Sequence, residues 1–486
     1  MNRSELEKRL VRALPAIAAV VFVFATVATA HWLYRGAPDL QRAPGWFYQW
    51  VNKGSFDMLL VAASAALLPS LVRTSFRWAR AGFWRATGCI VVGSLLLQLA
   101  TGIIARIDVK GWTERFYVGH GEFTERAKVV TDAIGVLRNY ERLALQNQLG
   151  LYGPSKPPGT YAVYFIIDRT SRWPLIEWLI SPLAKVVQRD PGVWPQDLSL
   201  VTWTILVLGL WAALTAVPLC WLGRTLLSDG SEDERTWLYP AWLFASSPAI
   251  NVISVHLDST LFPLLAATCL ASCVWSVRVG RSWPAAVGGV VGMLAVYCSY
   301  GNAPIFGLAV AAMLGMSWQT HGSLRASRWP LAALAGGALL VLFSLIWTLN
   351  WQPLVGYLRG VHYHQMWRPW LPHSWRYLAF LEFSLFAGPP LMLAFLASIP
   401  RAIAALRRER PAHGVLVLTL AAAAVMLGIS LWLGTPEAAR LWLFMLPAIV
   451  CAVAALFTRT AARPQLGILL VGQVVLVFFV KNYLVW

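Results

Sequence analysis

The chain has 486 residues, of which 58% are hydrophobic and only 13% charged. A soluble domain carries about 25% charged residues, so this composition excludes an ordinary soluble enzyme; apolar runs of roughly 20 residues, each able to cross a hydrocarbon core, recur along the whole chain. The formal net charge of +18 does not indicate nucleic acid, because Lys and Arg are dispersed between apolar segments, where membrane proteins place them.

Residues 1–12 are polar and basic, with Arg3, Lys8, Arg9 and Arg12. The apolar run at 13–34 is too long for the apolar part of a cleaved signal, so it reads as a first spanning helix. Further spans are predicted at 56–72, 86–105, 199–222, 237–256, 259–277, 284–300, 303–318, 329–350, 377–398, 414–433, 440–457 and 465–484, about thirteen in all. The runs are continuous rather than alternating, which favours helices over barrel strands. Several of the 26 Trp residues sit near segment ends (Trp32, Trp46, Trp112, Trp173, Trp283, Trp329, Trp351), as an interfacial aromatic belt requires. The six cysteines all fall inside apolar segments, which argues against disulfides and against zinc. Cys269 and Cys273 share a helix face and read as small packing residues.

With the N-terminus inside, the inward connections hold twenty Lys and Arg residues and the short outward segments eight. That bias sets the orientation. A spanning helix within 160–187 would invert every later loop, and Asp168, Arg169, Arg172 and Glu177 interrupt the stretch. It therefore reads as one or two interfacial helices, with apolar faces dipped into lipid. The expected protein is all-α and polytopic, with a cytoplasmic N-terminus in the cell inner membrane and a large outward loop, 107–198.

Polar residues collect on the outward side. The loop carries Glu122, Glu125, Asp132 and Glu141, with a helical pattern over 122–149 that ends at Gly150, Gly153 and Pro154. In Ser155-Lys156-Pro157-Pro158-Gly159 two prolines stiffen the backbone and fix Lys156, whose ammonium could pair with a phosphate; a plain polar turn is the competing reading. His256 and Asp258 stand at a helix junction and could orient a hydroxyl or a pyrophosphate-side metal; the competing reading is that Asp258 caps the next helix. Gly301 and Asn302 emerge on the same side. Segment 351–376 mixes Arg359, His362, His364, Arg368, His373 and Arg376 with Trp351, Trp367, Trp370 and Trp375. That mixture suits a lipid-linked phosphate and a sugar ring, or simply a solvated interfacial loop. His362 and His364 do not share a helix face and have no Cys or acid beside them, which disfavours a metal. Glu437 and Arg440 lie three apart at a helix start, where they can pair with each other.

Lys156-Pro157-Pro158-Gly159, with Tyr161 after it, resembles the His-Pro-Pro-Gly segment of bacterial members of the GT-C superfamily of membrane glycosyltransferases. Glu437 with Arg440-Leu441-Trp442-Leu443-Phe444 is similar to a Gly-Glu-x-x-Arg-hydrophobic-Trp-Leu-Phe element of the same group. Lys156 replaces the His, and Thr435-Pro436 stands where Gly would precede Glu. The resemblance covers about 85–486 and leaves 1–84 as a two-helix addition. It implies a dolichyl-phosphate-mannose mannosyltransferase-like enzyme of inverting type. Such an enzyme moves a sugar from a polyprenyl-phosphate donor to a lipid, glycan or protein acceptor outside the cytoplasm, within the glycosylation chemistry of the cell envelope.

The resemblance also implies a catalytic acid in the outer loop, taken in the order Asp132, Glu122, Glu125, Glu141. Lys156, Arg440, Arg359 and Arg368 would hold the donor phosphate. His256, Asp258, Asn302, Glu437, Trp367 and Trp370 would position sugar or acceptor. No cofactor follows; a divalent cation is left open. A lipid-linked glycan polymerase or ligase is the first rival reading, and a transporter or flippase the second. Against transport, no clear internal repeat is visible and Glu382 is the main acid within a predicted span.

Overall fold

A computed structural model describes residues 49–50, 58–104, 121–150, 153–189, 193–227, 235–252, 256–367, 375–407, 414–433, 438–458 and 463–485. Apart from a two-residue antiparallel pairing of Gln49–Trp50 with Leu484–Val485, their regular structure is helical. In chain order come α1 (Met58–Ala79), α2 (Phe83–Ile104), then α3 (Gly121–Val129), α4 (Ala133–Arg138), α5 (Tyr140–Leu145), α6 (Pro158–Ser171) and α7 (Pro174–Val187). After them stand α8 (Leu198–Leu214), α9 (Ala216–Leu227), α10 (Tyr239–Ala245), α11 (Pro248–Val252), α12 (Leu257–Val279), α13 (Trp283–Cys298), α14 (Pro304–His321) and α15 (Arg328–Leu349). The chain closes with α16 (Pro353–Trp367), α17 (Trp375–Ala387), α18 (Pro389–Arg407), α19 (Gly414–Leu433), α20 (Ala438–Leu441), α21 (Leu446–Ala454) and α22 (Arg463–Tyr483).

Local sequence explains where these helices start and stop. Pro158, Pro174, Pro284, Pro304 and Pro447 stand in first turns, where the missing N–H is lost at no cost. Gly280 and Gly322 end α12 and α14 in the left-handed conformation, and Asn350 ends α15 the same way.

This is an all-α membrane protein: seven helical stretches among the described residues are long and apolar enough to cross a bilayer. They are 83–101, 195–227, 260–279, 300–321, 324–349, 389–406 and 414–431. Three shorter apolar stretches lie at 283–298, 443–457 and 465–477. The segment 13–34 lies outside the described residues. The helix expected at 237–256 is interrupted at Ser246–Ser247, ahead of Pro248. That expected at 377–398 breaks at Gly388, whose φ of +107° and following prolines divide α17 from α18. The one at 440–457 is divided into α20, a tight 3-10 turn and α21. Within 160–187 the chain forms two helices, α6 and α7, split at Arg172–Trp173.

Helix α12 is the most buried of the long helices and packs against α8, α9, α13 and α14. Helix α15 is the least buried, and it bares Leu340, Phe343 and Trp347. Apolar surface of that extent suits lipid rather than water. A second, smaller core gathers Phe123, Tyr140, Tyr161 and Tyr164 with Leu208, Phe262 and Cys298. Through it, α3 to α6 sit against the ends of α8, α12 and α13. Helix α7 turns Leu175, Trp178 and Leu179 outward.

Candidate functional site

The site is built around Pro157-Pro158-Gly159-Thr160. Pro157 is extended and Pro158 opens α6. Gly159 lies against the backbone of Tyr297, in a space that any Cβ would fill. The Thr160 hydroxyl donates to the carbonyl of Cys298 at 2.7 Å. That carbonyl belongs to the last turn of α13, where no intrahelical partner exists. The motif therefore docks α6 onto the end of α13.

Tyr161, next in line, donates its hydroxyl to the carbonyl of Leu149. Its ring meets Phe123 and Tyr140 edge-on, at 4.8 and 5.5 Å. Burial first, then the nearby Glu122 carboxylate, push the Tyr161 phenol up. The Tyr140 hydroxyl reaches the carbonyls of Gly153 and Lys156, at 3.2 and 2.9 Å. Residues 153–157 are thus fixed as a rim along α5.

Helix α16 closes the other side. Arg359 donates Nε to the carbonyl of Pro154 at 2.9 Å and Nη1 to Glu141 Oε2 in a buried ion pair. Its guanidinium lies 5.7 Å from the centre of the Tyr140 ring. Trp351 stands beside them, edge-on to Tyr297 at 5.1 Å and stacked on Tyr300 at 6.5 Å. A Cβ at Gly356 would run into the Tyr300 hydroxyl and would meet Glu141 Oε1 at 2.9 Å. Burial lowers the Arg359 pKa, with Tyr140 opposing, and burial raises that of Tyr140.

Three polar atoms in this cluster are buried without a hydrogen-bond partner among the described residues: Glu141 Oε1, Arg359 Nη2 and the Tyr297 hydroxyl. Burying such groups unpaired costs about 1–3 kcal/mol each, more when charged. A cluster with spare acceptor and donor capacity can receive a polar ligand: the guanidinium an anion, the carboxylate a hydroxyl.

The other expected site residues are distributed around this centre. Glu122 lies against Gly150, where its carboxylate occupies the space a side chain would take. Glu125 pairs with Lys128 at 2.7 Å, and Lys128 also holds buried Asp197 at 2.9 Å. Asp132 is exposed and caps α4, its Oδ1 accepting from the Gly135 amide at 2.8 Å. Lys156 is half-buried and takes part through its carbonyl. Asn302 is buried and donates to the carbonyl of Ala295 at 2.9 Å. His256 is buried at the start of α12, and Asp258 follows in that helix's first turn. Arg440 is buried on α20, which packs against α17 and α12. Trp367 ends α16. Arg368, Trp370 and Glu437 lie outside the described residues.

Among the four loop acids, then, it is Glu141 that meets a candidate phosphate-binding arginine. The tyrosines at 140, 297 and 300 escaped sequence reading, because an aromatic at the end of an apolar run looks like an interfacial anchor. Among the described residues no three His, Cys, Asp or Glu side chains could together hold a metal ion. Comparison of the chain with protein-family models, curated proteins and solved structures finds no match in any of the three.

Proposed function

We propose that this protein is a membrane glycosyltransferase, moving a sugar from a polyprenyl-phosphate-linked donor to an acceptor hydroxyl at the extracytoplasmic side. The observation that carries the reading is the meeting of Glu141 and Arg359. They are 218 residues apart in sequence and buried together on the rim that leads into Pro157-Pro158-Gly159. An inverting transfer needs both groups. The Glu141 carboxylate takes the proton of the acceptor hydroxyl while the acceptor oxygen bonds to the anomeric carbon. The bond from that carbon to the phosphate oxygen breaks, and Arg359 stabilises the charge that leaves with the phosphate. Lys156, on the same rim, adds positive charge. The bias of Lys and Arg toward the opposite loops supports an outward-facing site and a cytoplasmic N-terminus.

One observation favours transport of a lipid-linked glycan as a second reading. The helix breaks at Ser246–Ser247 and Gly388 adjoin: the Ser247 hydroxyl donates to Ala387 O at 2.9 Å, and Ser246 donates to Gln473 at 2.6 Å. Interrupted helices with buried polar groups are a transporter's device.

The deciding experiment is transfer of labelled sugar from a polyprenyl-phosphate donor pool by purified protein. Wild type is compared with Glu141→Gln, Arg359→Lys and Asp132→Asn, all checked for folding. Glu141→Gln should lose about 10²–10⁴-fold in rate and Arg359→Lys about 10²-fold, with Asp132→Asn within about twofold since Asn caps as well as Asp. Transfer that survives in Glu141→Gln would move the base elsewhere. Absence of transfer, together with movement of labelled lipid-linked glycan across vesicles, would establish the transport reading instead.

A further inference from the structure

The Glu141–Arg359 pair raises a question that catalysis alone does not answer. A guanidinium meant for a phosphate is already occupied by a carboxylate, and a carboxylate meant for a hydroxyl is already neutralised by a guanidinium. Both groups are largely buried, yet Glu141 Oε1 and Arg359 Nη2 are left without partners among the described residues. The contact is thus one hydrogen bond between two groups that could share two.

The attachment of the loop to the helix bundle does not depend on the pair. Arg138 donates to the carbonyl of Thr348 at 3.0 Å, Thr160 donates to Cys298, and Arg359 Nε holds Pro154 independently of Glu141. A carboxylate on short α5 can therefore move while the loop keeps its other ties.

We propose that the Glu141–Arg359 ion pair is an autoinhibitory latch, opened by the phosphate of the incoming lipid-linked donor. The phosphate takes over Arg359 through Nη1 and Nη2, and Glu141 is released as an unpaired carboxylate beside the acceptor position. No covalent bond changes in this step; one anion replaces another on the same cation. Without the donor the base stays neutralised by Arg359. This rests on the glycosyltransferase reading for the identity of the anion, but not for the exchange itself.

The latch makes Glu141 a competitor of the ligand. Glu141→Gln keeps the shape and removes the competing charge, so the affinity for decaprenyl phosphate in phosphatidylcholine nanodiscs should rise by about tenfold or more, as expected for close charge pairs. Arg359→Ala should abolish the binding. Inorganic phosphate, run in parallel, should compete weakly; competition as strong as that of decaprenyl phosphate would make free phosphate the natural anion. A second readout uses wild type alone. Hydrogen exchange of amides 140–145 should accelerate several-fold when decaprenyl phosphate is added. Unchanged or slowed exchange there, or equal or weaker binding by Glu141→Gln, would overturn the latch. The two readings fail separately. Sugar transfer with no change in exchange removes the latch and keeps the transferase. Tighter binding by Glu141→Gln with no transfer from any donor keeps the latch and removes the transferase.

Discussion

Gly159→Ala tests whether Pro157-Pro158-Gly159-Thr160 is a docking motif. A Cβ at 159 would lie 2.5 Å from the carbonyl carbon of Tyr297 and 2.6 Å from its ring. The Tyr297 carbonyl oxygen is nearer still, and ordinary contact begins near 3.4 Å, so the two elements must separate by about 1 Å, and the obstacle is backbone that cannot rotate away. Overpacking of this kind costs about 1–3 kcal/mol. The shift also stretches the Thr160–Cys298 hydrogen bond, worth about 0.5–1.5 kcal/mol. Against this, alanine is favoured over glycine within a helix by at most about 1 kcal/mol. The sum is a net loss of about 0.5–3.5 kcal/mol, concentrated in α6 and the end of α13. Gly307→Ala is the control: nothing lies within 4 Å of its added Cβ, so the substitution should be neutral or slightly stabilising. The assay is thermal unfolding in detergent by tryptophan fluorescence, with hydrogen exchange resolved over 158–171. A Gly159→Ala protein as stable as wild type, with unchanged exchange there, would refute the docking account.

Lys128→Met should destabilise the protein by about 1–3 kcal/mol, because it removes the cation that holds buried Asp197; the figure is discounted for the 23% exposure of the lysine. Burial alone would lower the Lys128 pKa, but its bonds to Glu125 and Asp197 outweigh that and raise it above 10.5. Its contribution is therefore complete below pH 10.5 and fades as pH climbs through the higher folded value, so wild type and Lys128→Met should converge in alkaline unfolding titrations. The paired replacement Glu141→Leu with Arg359→Met should unfold near the wild-type temperature, because apolar pairs commonly match or exceed buried ion pairs and that gain offsets the lost Arg359–Pro154 hydrogen bond, and should transfer no sugar. A large loss of stability in that double variant would mean the pair is a structural strut.

The membrane helices were legible because each is an unbroken apolar run, a property that needs no tertiary context. Their interruptions were not. Hydrophobicity is blind to whether Ser246–Ser247 continues a helix, and in the apolar stretch 377–398 the sequence Gly388-Pro389-Pro390 was the sole local sign of a break. That 160–187 is one or two short helices and not a span followed from its charges and from charge balance between loops; the split at Arg172–Trp173 did not. At the site, the candidate residues were legible but not their pairing. Nothing local separates Glu141 from Glu122, Glu125 or Asp132 as acids; the distinction is made by Arg359, from the far half of the chain. The proline-rich segment was marked by its Lys156 side chain, whereas its structural work falls to the Lys156 carbonyl and to Gly159.

What remains is why a chain so poor in charge buries an acid and a base where aromatic packing already exists. Tyr140, Tyr161 and Phe123 fill the core beneath the pair, and Trp351 with Tyr297 and Tyr300 fills its flank. Apolar side chains at 141 and 359 would extend that packing without the desolvation penalty of two ions. A pair kept only for stability should also use all its hydrogen-bonding capacity, and among the described residues this one leaves an oxygen and a nitrogen without a partner. The same cluster holds its backbone rigidly through Tyr140, Arg359 Nε and Thr160, while its charged contact is a single bond. Rigid surroundings around a charged contact of this kind are what the proposed latch requires: the ion pair can exchange its partner while the backbone about it holds.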